Sequence, residues 1–365
     1  MRFSLLWIGL ILVSASPCYA LEKQDSDDLL LKKVTIGADL FPTAGTSSLA
    51  RGQDLRYVSL NFVGWSGAVK GIELAYLANI NRHWVTGFQA SSIANVNLGA
   101  RFTGVQFSGI FGYTGGTLSG VQLSGIGNVS MGELVGVQAS GIGSIALGAV
   151  RGVQASGIGN VALGPFHGLQ VAAIGNFVKG KVDGVQIGLV NVAEDSDFSL
   201  GLINVMYKGR THIDLWGNSS GFGFAGLKHG GKYWHSIYSA GMRPTSEDGG
   251  YAMGLGIGLH LPLADRVFLD IDGLVYGVND EDTTWEDINT LATIRAVAGF
   301  RITEDIAIFA GLEGNVLATN RGDAERFAPF ASSPIHQREC SAKASVAAWP
   351  GVLLGVQFLG KPFKN

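Results

Sequence analysis

The residues of this chain that could do chemistry fall into three groups: glycine-rich motifs, scattered histidines and clustered acidic residues. Gly125–Ser130 and two similar segments, 141–146 and 157–162, resemble the glycine pattern that binds dinucleotides. That pattern needs a strand, a helix start and a unit of about 30 residues. The three copies recur every 16 residues, which leaves no room for the helix, so nucleotide binding is not expected.

The seven histidines do not have the spacing of a metal or catalytic site. His229 and His235 flank Tyr233 and Trp234, and His260 lies at the end of an expected strand. None is spaced from a cysteine or a second histidine as zinc ligands are, and no Gly-x-Ser-x-Gly motif occurs. We therefore predict no catalytic residue, no cofactor and no metal site. An enzyme embedded in a membrane barrel is only the third interpretation.

Acidic residues occur in two settings. Those crowded into segment 279–289 could bind Ca²⁺ through carboxylate oxygens, but a solvated outer loop is the simpler explanation for them. Asp270 and Asp272 instead lie opposite an apolar strand face, and we expect them near Arg295 and Arg301 on neighbouring strands. Charges that face a lumen can pair or line a constriction.

The elements that must position these residues follow a repeat of 16 residues. Side chains within a repeat alternate between apolar or small and polar over about eleven residues, the pattern of a strand that crosses a bilayer at a tilt. The Gly-Val-Gln-type tripeptides start at Gly104, Gly120, Gly136, Gly152, Gly168 and Gly184, with looser copies at Gly71 and Gly87.

Two all-β folds fit the repeat. The main interpretation is an outer-membrane-type antiparallel β-barrel of about 16–18 strands with an aqueous lumen. The alternative is a β-solenoid, in which each repeat is one coil, followed by a smaller C-terminal barrel. Antiparallel strand order across residues 104–192 would identify the barrel, and parallel order the coil. The residues expected to line the lumen, or merely to hydrogen-bond to one another, are Gln106, Gln122, Gln138, Gln154, Gln170, Gln186, Asp270, Asp272, Arg295 and Arg301.

The C-terminal third has no repeat but a cleaner strand pattern. Apolar residues alternate with polar or small ones from Tyr251 to Leu261, from Val267 to Tyr276 and from Ala292 to Ile302. Short and long connections also alternate, as in outer-membrane barrels with short periplasmic turns and long outer loops. The segments 279–289 and 319–345 are thus expected to face outward.

The beginning of the chain and its composition predict export. Arg2, the apolar run Leu5–Val13 and the segment 18–20 read as a cleaved signal peptide. A net charge of -3 with no basic stripe argues against nucleic acid. Only 15% of residues are charged, which favours lipid contact. We therefore predict outer-membrane localisation, with lipid and small polar solutes as partners and an undetermined oligomeric state.

The expected organisation is a signal peptide at 1–20, an N-terminal extension with the first strands at 21–70, the Gly-Val-Gln repeats at 71–207 and barrel strands with long outer loops at 208–365.

The unit Gly-Val-Gln-x-x-Gly-Ile-Gly-Asn-Val and the stretch Leu200–Val205 resemble a family of exported bacterial surface-repeat proteins. The resemblance covers roughly residues 71–242 and implies repeats that precede a C-terminal β region. That family has no established activity, so no functional residue follows from it. The function expected from the strand pattern is a passive pore or structural barrel, and the alternative is a surface-displayed binding or structural module.

Overall fold

The computed structural model describes residues 31–46, 53–244, 249–280, 287, 289–320, 336–341 and 344–360. The expected signal peptide and most of the two outer loops at 279–289 and 319–345 lie outside the described residues. The chain divides into two compact units, residues 1–173 and 174–365, and both are built from β-strands. No helix in the part of the chain that the structure describes is long and apolar enough to cross a bilayer.

The first unit is a parallel β-solenoid whose register follows the sequence repeat. Gly120 lies opposite Gly104 on one side and Gly136 on the other, and Gln122 pairs in the same way with Gln106 and Gln138. Most coils contain one long and one short strand. The strands are β1 (Lys32–Phe41), β2 (Ala44–Gly45), β3 (Asp54–Ser91), β4 (Ala94–Asn97), β5 (Arg101–Ser108), β6 (Phe111–Thr114), β7 (Thr117–Ser124), β8 (Gly127–Ser130), β9 (Leu134–Ser140), β10 (Gly143–Ala146), β11 (Val150–Ser156), β12 (Gly159–Ala162) and β13 (Phe166–Ala172).

The parallel register shows that the expected barrel of 16–18 strands is wrong and that the alternative, a solenoid followed by a smaller barrel, is correct. Alternation of apolar and polar residues with a period of two shows only that the two faces of a strand differ in polarity. Strands have two such faces both in a membrane barrel and in a solenoid. The length of the repeating unit is more informative. Identical strands meet identical neighbours only when they stack in parallel.

Glycine at the start of each Gly-Val-Gln tripeptide is required by the backbone. Gly136 has a φ of 131°, in a region that favours glycine over residues with a side chain. A Cβ atom there would lie 2.0 Å from the carbonyl oxygen of Gly120 in the preceding coil. The repeated glycine therefore marks a close approach between coils.

The inside of the solenoid is divided between polar and apolar rows. Gln138 Nε2 donates to Gln122 Oε1 at 2.9 Å, and Gln154 Nε2 donates to Gln138 Oε1 at 3.0 Å. This buried ladder runs through Gln89, Gln106, Gln122, Gln138, Gln154 and Gln170. A second buried row is apolar and consists of Val85, Phe102, Leu118, Leu134, Val150 and Phe166. Because the glutamines satisfy one another, the coil can bury them away from water.

The second unit begins with coils of the same kind and continues into an antiparallel barrel. Asn191 links the coils, since it accepts from Asn176 Nδ2 at 2.9 Å and donates to Asn204 Oδ1 at 2.8 Å. The coil strands are β14 (Gly175–Val178), β15 (Lys181–Ile187), β16 (Val190–Ala193), β17 (Asp195–Leu200) and β18 (Ile203–Met206). The remaining strands are β19 (Arg210–Asn218), β20 (Gly223–Gly230), β21 (Trp234–Arg243), β22 (Gly250–Pro262), β23 (Val267–Asn279), β24 (Asn289–Arg301), β25 (Ile306–Thr319), β26 (His336–Ser341) and β27 (Ala344–Leu359).

The barrel closes with eight strands. Each of β19 to β25 pairs with the next strand in sequence, except that β25 pairs with β27, and β27 returns to pair with β19. Strand β26 pairs only with the beginning of β27. The alternating segments predicted for the C-terminal third are strands of this barrel, and their apolar residues point outward.

Candidate functional site

The barrel interior contains a buried ionic cluster centred on Lys228 of β20. Its ammonium lies 2.7 Å from Asp270 Oδ2 and 3.3 Å from both Asp214 Oδ2 and Asp272 Oδ2. All four side chains are 2% exposed or less. One lysine therefore stands among three carboxylates contributed by β19 and β23.

Arginine and histidine complete the cluster. Arg295 Nε of β24 donates to Asp272 Oδ2 at 2.9 Å, and its guanidinium lies 4.5 Å from the centre of the Trp216 ring. His235 Nε2 lies 2.8 Å from Asp272 Oδ1, and His260 Nδ1 lies 2.7 Å from Asp270 Oδ1. These contacts give the buried aspartates the partners that buried charges require.

Alternation of the strand residues places these groups inside. In β23 the outward residues Ile271 and Val275 are exposed, whereas Asp270 and Asp272 are 1% exposed or less. Asp272 and Arg295, which the sequence predicts on neighbouring strands, are direct partners in the β23–β24 register. Arg301, at the end of β24, is half-buried on the same inward-facing set of positions.

The glutamine candidates lie elsewhere. Gln106, Gln122, Gln138, Gln154 and Gln170 are buried inside coils of the first unit, where they form the amide ladder. Gln186 is likewise buried, in coil strand β15, where it accepts from Ser199 Oγ at 3.3 Å. The structure therefore separates the ten lumen candidates into a solenoid group and a barrel group.

Sequence reasoning missed four members of the cluster: Lys228, Asp214, His235 and His260. A usable signal was present for Lys228, which is the only Asp, Glu, Lys or Arg in strand Gly223–Gly230, where the other residues are apolar or small apart from His229. A lone lysine in a strand with an exposed apolar face must point to the other face. Asp214 carries the same signal between Ile213 and Leu215.

Three of these side chains have the composition of a metal site. Ligand atoms of His235, Asp270 and Asp272 lie within 4.8 Å of one another. However, Lys228 Nζ and Arg295 already contact the same carboxylates, and a metal ion there would face both cations. The arrangement is therefore better suited to neutralising charge within the protein than to holding a metal.

The other half of the barrel interior is packed with apolar side chains. Trp216 stacks on Phe224 with ring centres 5.1 Å apart, and Phe224 contacts Tyr276 at 5.1 Å. Phe309, Leu317 and other buried residues belong to the same core. An eight-stranded barrel is just wide enough for side chains to fill, and both ionic and apolar groups fill this one.

The outer wall of the barrel is apolar. In strands β19 to β25 and β27, no Asp, Glu, Lys or Arg is exposed among the described side chains. The wall residues that are between 39% and 69% exposed include Ile213, Leu215, Leu227, Met242, Tyr251, Met253, Leu255, Leu259, Ile271, Val275, Ile294, Ile308, Leu312, Leu354 and Phe358. A patch of this extent marks an interaction surface for protein or membrane.

The last coils pack against this wall at β21. Trp234 Nε1 donates to the carbonyl of Ser196 at 2.8 Å, and Asn204 Nδ2 donates to Ser236 Oγ at 2.8 Å. Tyr238, two positions further along, donates its hydroxyl to the Leu202 carbonyl at 2.8 Å. The three β21 residues alternate with the inward-facing His235 and Ile237, so all of these contacts are made outside the barrel.

Comparison with known proteins does not identify a family. No protein-family model matches the chain, and no curated protein matches it.

Proposed function

We propose that the barrel spans a lipid bilayer and anchors the repeat solenoid to it. The observation that carries this proposal is the reversed polarity of the barrel, which exposes apolar residues and buries a lysine, an arginine and three aspartates. In water such a surface would aggregate. In a bilayer it is the usual arrangement, because each outward position of a strand meets hydrocarbon.

The membrane is the bacterial outer membrane, which accepts closed barrels exported with a cleaved signal peptide. All connections at one end of the barrel, from β20 to β21, β22 to β23 and β24 to β25, are short, whereas the other end carries the longer connections together with the short turn from β19 to β20. Outer-membrane barrels place their end of short turns in the periplasm. Strand β19 begins at this same end, directly after the last coil strand β18. The coils that lead into the barrel therefore lie on the periplasmic side.

The filled interior supports an anchoring role over a pore. A channel would need a continuous water-filled path through the barrel. In this barrel, the side chains of the ionic cluster and of the aromatic core contact one another across the interior. The solenoid then acts as a structural or binding module held at the membrane, without enzymatic activity.

Two measurements test the proposal. The purified chain, refolded in detergent, should migrate differently on a gel before and after heating, as closed membrane barrels do, and should give no channel events in planar bilayers at any voltage. Regular single-channel steps would overturn the sealed anchor. Migration that heating does not change, together with recovery in the soluble periplasm, would overturn the membrane barrel.

The orientation is tested with cysteine variants in intact cells and a label that cannot cross the membrane. Lys181→Cys, in an exposed position of the coils that lead into the barrel, should become labelled only after the outer membrane is permeabilised. Asp282→Cys, in the loop that the sequence predicts to face outward, should label in intact cells. Labelling of Lys181→Cys in intact cells would place these coils outside and overturn the orientation.

A further inference from the structure

The long strands of the first unit present a face of apolar side chains on the outside of the solenoid. In β5, Phe102 and Gln106 are buried inside the coil, and Val105 and Phe107 alternate with them and point outward. Because the parallel register stacks equivalent residues, each outward position becomes a column that continues from coil to coil. We term the two central columns the long-strand face. One column consists of Phe88, Val105, Val121, Val137, Val153 and Leu169, and the other of Ala90, Phe107, Leu123, Ala139, Ala155 and Val171.

Side-chain size changes along the second column in a definite order. Phe107 is followed in register by Leu123, and these two large residues are followed by Ala139 and Ala155. The ring of Phe107, which is 42% exposed, also packs at 5.8 Å from the ring of Phe88 in the preceding coil. The long-strand face therefore has a ridge that is two coils long, next to a depression of the same length.

A ridge and a depression of equal length make the long-strand face complementary to itself. A twofold axis that runs along the strand direction between Leu123 and Ala139 reverses the order of the coils in a second copy. Phe107 of one copy then lies opposite Ala155 of the other, and Leu123 lies opposite Ala139. An interface of this kind is isologous, because both copies use the same surface and the assembly closes as a dimer.

The sizes of the side chains also select the direction of the second copy. With its coils in the same order, Phe107 would meet Phe107, while Ala139 and Ala155 would face a gap. The flanking coils agree with the reversed order, since Ala90 then lies opposite Val171. The reversed order alone therefore fills the depression without a clash at the ridge.

We propose that the long-strand face binds a second copy of the chain, in a twofold dimer whose solenoid axes run antiparallel. The inference names a partner for the repeat module of the proposed function, but it concerns the first unit alone and does not require the membrane anchor. Both copies have the same spacing of about 4.8 Å between strands. The ridges and depressions therefore stay in register along the interface, and the side chains can interdigitate as between two packed sheets.

The size of the face and the position of charge fit a protein partner. Six coils and about six residues of each strand give a face of about 29 Å by 20 Å, which corresponds to about 1,200 Å² in a pair and reaches the lower end of specific interfaces. Arg151 lies at the rim, in the same outward column as Thr103. In the dimer Arg151 lies opposite Thr103 of the second copy, so no cation meets another. A polar rim beside an apolar centre is typical of protein interfaces, whereas fluid acyl chains would not require an order of side-chain sizes.

The test is cross-linking between two differently tagged full-length copies that are co-expressed. One copy carries Val105→Cys and the other Val153→Cys, and the native cysteines of both are replaced by serine. These two positions should face each other at about 10 Å, the separation of packed sheets. A bismaleimide linker of that length is added to the cell fraction that contains the protein, before any detergent. Two copies with the same cysteine are the control, because three coils displace those thiols by about 14 Å along the face.

The expected result is a cross-link between Val105→Cys and Val153→Cys and none between like copies. Ala155→Phe in both copies should lower the cross-linked fraction about tenfold, because overpacking against Phe107 of the second copy is destabilising. Adding Phe107→Ala should restore the cross-link, because the ridge and the depression have then exchanged places. Ala94→Phe, at a half-buried outward position of short strand β4, is the matched control and should leave the cross-link unchanged.

Three results would overturn the inference. Thiols that react with a monofunctional maleimide but give no cross-link would leave the face to water or lipid. Cross-links between like copies would mean that the coils run in the same order. A cross-link that survives Ala155→Phe would mean that the face is not packed against a second copy. The unsubstituted face decides the first two outcomes, so the inference does not depend on the folding of a bulky variant. Heat-modifiable migration, measured on the same samples, tests the membrane barrel separately.

Discussion

Replacement of Lys228 by methionine should destabilise the barrel by about 3–5 kcal/mol, the range measured when one partner of a buried ion pair is removed. The lysine ammonium lies 2.7 to 3.3 Å from three buried carboxylates. At an effective dielectric constant of about 20, each attraction amounts to about 5–6 kcal/mol. Desolvation of the ammonium offsets much of this attraction, but its removal leaves three desolvated carboxylates, of which Asp272 keeps its ion pair with Arg295.

The assay is urea unfolding in detergent micelles, read from the proportion of the heat-sensitive compact form on a gel. Lys208→Met is the matched control, because Lys208 pairs with Glu194 on an exposed surface, where solvent screens the attraction and such pairs contribute little to stability. The double variant Lys228→Met with Asp270→Asn should recover part of the loss, since it removes one of the stranded charges.

Equal unfolding midpoints for Lys228→Met and Lys208→Met would refute the reasoning. Such a result would mean that water or counter-ions reach the aspartates and neutralise them. The barrel would then contain a wet interior, and the argument for a sealed anchor over a pore would lose its main support.

Three further predictions concern the solenoid. Gly136→Ala should destabilise the full-length protein by more than about 1 kcal/mol in thermal unfolding, because Gly136 has a φ of 131° and a Cβ atom there would lie 2.0 Å from a backbone carbonyl oxygen. Gly127→Ala is the control and should change stability little, because the atom nearest to a Cβ at that position is 3.4 Å away. Gln138→Leu should cost about 1–3 kcal/mol in the same assay, because Gln122 Oε1 loses its donor inside the coil. Burial raises the pKa of the Glu73 carboxyl above its usual value of 4.5, so the folded state binds the proton more tightly than the unfolded chain and stability should fall as pH rises through the interval between the two pKa values. Glu73→Gln should flatten that dependence, and a slope identical to that of the parent chain would contradict this assignment.

Part of the fold follows from the sequence with little ambiguity. Alternation in β22, β23 and β24 identifies both the strands and the face of each that is apolar, since a strand has only two faces. It also places Asp272 and Arg295 on the same side of neighbouring strands, where they form an ion pair. Local patterns succeed here because they depend only on backbone geometry within one or two strands.

Strand direction in the repeats could not be predicted in the same way. Gln154 and Val153 occupy opposite faces in both a barrel strand and a coil, so their alternation cannot distinguish the folds. The decision depends on which strand supplies the partner of each backbone amide, and that is a long-range property. The ladder from Gln122 through Gln138 to Gln154 is visible in the sequence only as a repeated spacing, whose meaning depends on whether the copies are parallel.

The distribution of charged side chains is the strongest feature that the solenoid coils and the barrel share. In a solenoid surrounded by water, charged side chains are tolerated at every outward position. This chain leaves the corner at Ile110, Ile126 and Ile142 without charge and places Glu133 and Arg151 at the opposite one. The coil that contacts the barrel has the same arrangement: the carbonyl of Leu202 accepts a hydrogen bond from Tyr238, so Leu202 lies beside the apolar wall. Within the second unit, the proposed bilayer boundary accounts both for the apolar wall of the barrel and for the position of Leu202 beside it.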